Sequence, residues 1–207
     1  MENINQVAYL IFAAFTMGLA IKSYFEFNNQ IIPHDLKTNW AWSLSSFVLS
    51  NIFCVLGAMG FDAFLFLGNV FLIVSFFWMG LFFRVLHGSI TPILIKSIKL
   101  SAFLFTVTFG VLFFLKAPYI WRFYLVSVAI ILLALWHIEE LSRALKKEVT
   151  LHLNALLYLK YILLIMCCIR VITAQDIFDA AVHYFYQESS YGLIARLMLS
   201  GINFTTS

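Results

Sequence analysis

The sequence predicts an all-α, polytopic transmembrane helical bundle with six membrane-spanning helices, followed by either a partial seventh helix or an interfacial one. Three observations carry this expectation. Long apolar stretches separated by short charged loops fill the chain from Ile4 to Ala174. The 207 residues are 63% hydrophobic and 11% charged, with a mean hydropathy of +0.95, against about 45–50% apolar and 25% charged in soluble domains. Finally, 23 Phe accompany only 9 Gly and 3 Pro, which suits unbroken helices with bulky lipid-facing rings rather than the interrupted helices of transporters. A hydrocarbon core about 30 Å thick asks for about 20 apolar residues per helix, and a helix satisfies its own backbone where water is absent.

The first helix is placed over Ile4 to Phe25. Met1-Glu2-Asn3 lacks the positive region of a cleavable signal, so this run is expected to stay as an anchor. The second and third, Ala41 to Met59 and Phe61 to Phe83, are joined by the tight turn Gly57-Ala58-Met59-Gly60-Phe61-Asp62 and form an antiparallel hairpin. Asp62 falls in the first turn of the third helix, where a negative charge suits the helix dipole. The fourth, Ile93 to Leu115, starts after Pro92, and the fifth, Trp121 to Trp136, follows Pro118; both are positions that tolerate a missing amide proton. Beyond Trp136, residues Glu139, Glu140, Arg143, Lys146, Lys147 and Glu148 read as a solvated helical extension, with Glu139 and Arg143 at a favourable four-residue spacing. The sixth helix spans Leu153 to Ile172.

Residues 1–174 therefore form the transmembrane domain, and 175–207 an extracytoplasmic loop plus a terminal helix. Tyr191 to Phe204 sets Leu193, Ile194, Leu197, Met198 and Ile202 against Arg196, Ser200 and Asn203. That pattern suits an amphipathic helix too short to span alone. It is either an interfacial helix or the start of a seventh span whose remainder lies beyond Ser207.

Basic residues set the orientation. With the N-terminus outside, Lys22, Lys37, Arg84, Lys96, Lys99, Arg143, Lys146 and Lys147 lie on the cytoplasmic side, and Lys116, Arg122 and Arg170 outside, a positive-inside bias. These cations sit at helix ends and form no patch, so the net charge of +3 points to the lipid bilayer as partner and not to nucleic acid.

Most polar residues inside the spans have a packing explanation. Ser43, Ser46, Ser50, Cys54 and Gly57 recur at three- and four-residue intervals on the second helix, and Ser97, Ser101 and Thr108 do so on the fourth. Small faces let helices approach closely in lipid, within the bundle, in a homodimer or against a partner membrane protein. Cys54 and the pair Cys167-Cys168 fall at similar depth, as packing groups or as a disulfide from Cys54 to one of the pair; no CxxC motif supports thiol redox chemistry. His34, His87, His137 and His152 fall on the cytoplasmic side in separate segments, without metal-binding spacing, and read as interfacial residues. No nucleophile elbow, phosphate loop or carboxylate-rich motif appears, so neither a cofactor, a metal nor catalysis by this chain is expected.

Lys160 stands apart. A lysine near the bilayer centre costs about 2.5–3.5 kcal/mol on insertion scales unless it is compensated. Two outcomes are open: pairing with Asn69, which has a suitable depth on the third helix, as part of a ligand-binding or sensing site, or snorkelling toward the head groups beyond His152.

Three passages carry a family likeness: Asn39 to Gly57 (NWAWSLSSFVLSNIFCVLG), Gly68 to Gly88 (GNVFLIVSFFWMGLFFRVLHG) and Trp121 to Leu145 (WRFYLVSVAIILLALWHIEELSRAL). The chain resembles the multi-helix N-terminal membrane input modules of bacterial diguanylate cyclases (GGDEF proteins) and related histidine kinases. In such modules a tryptophan-led helix ending in glycine, a Gly-Asn helix ending in Arg and Gly, and an Arg-led fifth helix recur. The resemblance implies a sensory input module of a bacterial inner membrane, with a seventh helix leading into a cytoplasmic output domain beyond this sequence. A non-catalytic accessory or assembly subunit is the alternative, and a small transporter a third.

Overall fold

Six helices make up the residues described in the computed structural model, 2–29, 33–147 and 150–172: α1 (Glu2–Asn29), α2 (His34–Ala58), α3 (Asp62–His87), α4 (Pro92–Phe114), α5 (Tyr119–Lys147) and α6 (Leu151–Ile172). No strand occurs among them. Five of the helices, α2 to α6, are long and apolar enough to cross a membrane, whereas in α1 the apolar stretch is the shorter Ala13–Lys22. Among the described residues the chain is thus all-α, with five helices able to cross a membrane, as a membrane protein has. The expected loop and terminal helix at 175–207 lie outside the described residues.

Local chemistry sets the boundaries. Gly60, at φ +102°, supplies the left-handed residue that turns α2 into α3. Thr91 caps α4 by accepting the Leu94 amide at 3.3 Å, with Pro92 at the first helical position. The largest difference from expectation is α5, which runs past Trp136 without interruption to Lys147. No Gly or Pro stands in this stretch, and Ile138, Leu141 and Ala144 continue the buried row of the upstream helix. Glu139, Arg143, Lys146 and Lys147 are exposed as expected of a solvated extension, but Glu140 is buried.

Small residues zip α2 to α3 in antiparallel register. Ser43 Oγ donates to the Ser75 carbonyl at 3.0 Å, and Ser50 Oγ to the Gly68 carbonyl at 2.7 Å. A Cβ on Gly68 would lie 2.8 Å from Cys54 Sγ, and one on Gly57 2.4 Å from Leu65 Cδ2. The small row of α2 is therefore a helix contact. That of α4 is not: Ser97, Ser101 and Thr108 are exposed, while Phe105, Phe109 and Gly110 face inward. Phe109 stacks on Phe66 at 5.7 Å and on Phe105 at 5.6 Å. Aromatic area, not close backbone approach, docks this helix.

Two apolar cores result. One gathers Phe47, Ile73, Phe76, Phe109, Ala134 and Leu163; the other gathers Trp40, Leu44, Met79, Phe83, Leu141 and Leu156. On α5, His137 falls between Ala134 of the first core and Leu141 of the second. On α6, Lys160 falls between Leu163 and Leu156. An ionisable layer therefore separates two greasy ones.

Candidate functional site: a buried ionisable layer

Helical periodicity carries both groups inward. The inward row of α6 is Leu156, Lys160, Leu163 and Cys167, so Lys160 takes a position otherwise given to apolar side chains; His137 does the same on α5. Lys160 is 1% exposed and His137 fully buried. Lys160 does not snorkel.

The two share their surroundings. Lys160 Nζ lies 5.5 Å from the centre of the Phe76 ring and 5.6 Å from that of Phe83. The His137 imidazole stacks on Phe76 (5.6 Å, 12°) and meets Phe83 edge-on (5.3 Å, 77°). His137 Nε2 donates to the Phe76 carbonyl at 2.9 Å, which fixes a proton on Nε2 and leaves buried Nδ1 without a partner. The hydrogen-bond acceptor of Lys160 is Met79 Sδ, 3.7 Å away. Thioether sulfur is a weak acceptor, so two rings and a sulfur stand where a carboxylate would ordinarily stand. Such an arrangement holds an ammonium by cation–π attraction but gives none of its three N–H donors a strong acceptor.

Asn69 is placed elsewhere. Its amide donates to the Leu65 carbonyl of its own helix at 2.8 Å, and it stands ten residues from Met79 along α3, about 15 Å at 1.5 Å per residue. The structure does not bring Lys160 and Asn69 together; it brings Lys160 to Met79, Phe76, Phe83 and His137.

About one turn farther toward the α3 and α5 C-termini lies a second centre. Glu140 Oε2 accepts from Arg84 Nη1 at 3.4 Å and pairs with His87 Nε2, and its Oε1 accepts from Trp136 Nε1 at 3.0 Å. Lys147 Nζ donates to the His87 carbonyl, tying the two helix ends. Gly80 makes room for this cluster: a Cβ there would fall 2.1 Å from Trp136 Cζ3.

His34 and His152 are exposed, whereas His87 turns to Glu140 and His137 is buried in the bundle, not at its surface. The missed signal was the phase of Ala134, His137 and Leu141, which continues an apolar row through the histidine. None of Cys54, Cys167 and Cys168 is joined in a disulfide, and Cys54 packs on Gly68. Among the described residues no group of three His, Cys, Asp or Glu is arranged to hold a metal ion.

Fold and site together define an integral membrane helical protein with a charged group sealed in its interior. No family model, curated protein or solved structure matches the chain.

Proposed function

We propose that this chain is a membrane-embedded signal-input module that controls a cytoplasmic output domain, with the Lys160–His137 layer as its sensing element. The observation that carries the reading is a lysine and a histidine buried against the same two rings, with no carboxylate partner among the described residues. Intramembrane ionisable groups are costly and concentrate where function needs them. Gain or loss of a proton or ligand there changes the charge at the junction of α3, α5 and α6. Helix α5 continues without a break from His137 to Lys147, about 15 Å along the axis, and offers a stiff lever to the helix ends. Two steps of a bistable element, local charge and helix displacement, are what a switch requires.

In this reading α1 is the sixth span, the N-terminus is outside, and the chain sits in a bacterial inner membrane without catalytic activity of its own. The likeness to input modules of diguanylate cyclases and histidine kinases supports it. Transport is less well supported: Ser43, Ser50, Asn51 and Asn69 spend their donors on backbone carbonyls. An accessory subunit is favoured by one observation, the exposed Ser97, Ser101 and Thr108 row on α4.

The test fuses the full chain to a surrogate diguanylate cyclase domain and compares Lys160→Leu with Lys146→Leu, an exposed lysine. A module of this kind shows altered output for the first and near-normal output for the second. Unchanged output in both refutes the sensing role, and co-purification of a fixed membrane partner lost on Ser101→Leu favours the subunit. Cysteines introduced near Lys146 and Lys116 are expected to label from opposite sides; equal labelling from outside ends the topology.

A further inference from the structure

We infer that the layer around Lys160 is a binding site for a small monovalent anion, which takes the place now held by the Met79 sulfur. This inference rests on the sensing role given to the same layer and names what is sensed.

Charge and hydrogen-bond inventories both lead there. The buried ionisable residues among those described are Arg122, His137, Glu140 and Lys160. Glu140 is the one carboxylate in that set, and it already serves Arg84, His87 and Trp136. Among the described residues no carboxylate stands against the Lys160 amine.

Donors also outnumber acceptors at this level. The register that sets Ser43 against Ser75 and Ser50 against Gly68 places Asn39, one turn before Ser43 on the same row, opposite Met79. Asn39 is buried, and its Nδ2 has no hydrogen-bond partner. Asn39 on α2 and Lys160 on α6 thus both stand at the level of Met79, Asn39 with an unpartnered Nδ2 and Lys160 with a weak sulfur acceptor. A buried donor without an acceptor costs about 1–3 kcal/mol, and an anion accepts from several donors at once. Surroundings that offer donors and, among the described residues, no carboxylate suit a halide, nitrate or formate.

Met79 is the group able to yield. Its side chain is unbranched, with three rotatable bonds, and its sulfur is the one acceptor Lys160 now has. His137 borders the same level, its Nε2 proton already given to the Phe76 carbonyl. The groups facing the imidazole are Phe76 and Phe83 from α3 and Lys160 from α6; the nearest carboxylate, Glu140, is held by Arg84 and His87.

The experiment uses the full chain in a non-ionic detergent at constant ionic strength, replacing sodium gluconate stepwise by sodium chloride, bromide, nitrate or formate. Thermal unfolding and chloride NMR line broadening are followed. Expected are a saturable upward shift and line broadening with the small anions and neither with gluconate. Lys160→Met weakens apparent affinity by about tenfold or more, equivalent to 1.4 kcal/mol per tenfold. Asn39→Leu weakens it less, Met79→Leu keeps or tightens it, and Lys146→Met, at an exposed position, matches wild type. The inference falls if gluconate acts like chloride, if Lys160→Met binds as wild type does, or if Lys146→Met loses the effect equally, which would mark surface screening. Should Lys160→Met fail to fold, the wild-type titration with Asn39→Leu and Met79→Leu decides. Altered output in the Lys160→Leu fusion without anion dependence overturns the anion site and leaves the sensing role; anion binding with unaltered output does the reverse.

Discussion

Glu140 and Lys160 are both buried on the inward rows of neighbouring helices, yet their surroundings are opposite. Glu140 is met by the Arg84 guanidinium, the His87 ring and an indole N–H from α3 and its own helix; Lys160 is met by two aromatic rings and a thioether. Satisfied charges lock helices together, and removing one partner strands the other. An unsatisfied charge contributes nothing comparable to stability, and its retention points to use rather than to architecture. The Glu140 centre is thus the clasp between α3 and α5, and the Lys160 layer is the part free to change.

Substitutions at the clasp and at the layer separate the two roles. The largest loss is expected for Glu140→Ala, which leaves Arg84 and His87 without their carboxylate and destabilises the bundle by about 3–5 kcal/mol; unfolding in detergent measures it, and a loss under 1 kcal/mol breaks the contrast. Gly80→Ala comes next at about 1–3 kcal/mol, because Trp136 must leave the position from which it donates to Glu140. Indole fluorescence reports the displacement alongside the melting curve.

Ser50→Ala removes a single hydrogen bond to the Gly68 carbonyl and is expected to cost about 0.5–1.5 kcal/mol, with output of a fused cyclase unchanged. Lys160→Leu closes the series: stability unchanged or higher, since an apolar side chain replaces a buried charge without a counter-ion, while output changes. A melting loss as large as that of Glu140→Ala would make Lys160 a structural group and erase the difference between the two centres.

Two rows of small residues show how far the sequence reaches. Ser43, Ser46, Ser50, Cys54 and Gly57 on α2 and Ser97, Ser101 and Thr108 on α4 look alike as spacing, but the first is a tight helix contact and the second is exposed. Periodicity assigns residues to one face of a helix; it does not say which face a neighbour covers. Glu140 illustrates the same limit. Its spacing in a charged stretch reads as solvated, and Glu139 and Arg143 do form an exposed pair, but one residue farther round the helix the carboxylate turns into the bundle.

Composition and length alone determined that the chain is helical, apolar and built for lipid, because a hydrocarbon solvent demands long stretches without unsatisfied backbone groups. They also singled out Lys160 by its cost. The tertiary structure decided its company. In a soluble protein the contrast between apolar and polar faces reveals which side is covered, but lipid tails are as apolar as a protein core, so inside and outside carry the same residues. Only the packing of α3, α5 and α6 shows that His137 and Lys160 share Phe76 and Phe83 while Asn69 turns back to its own helix.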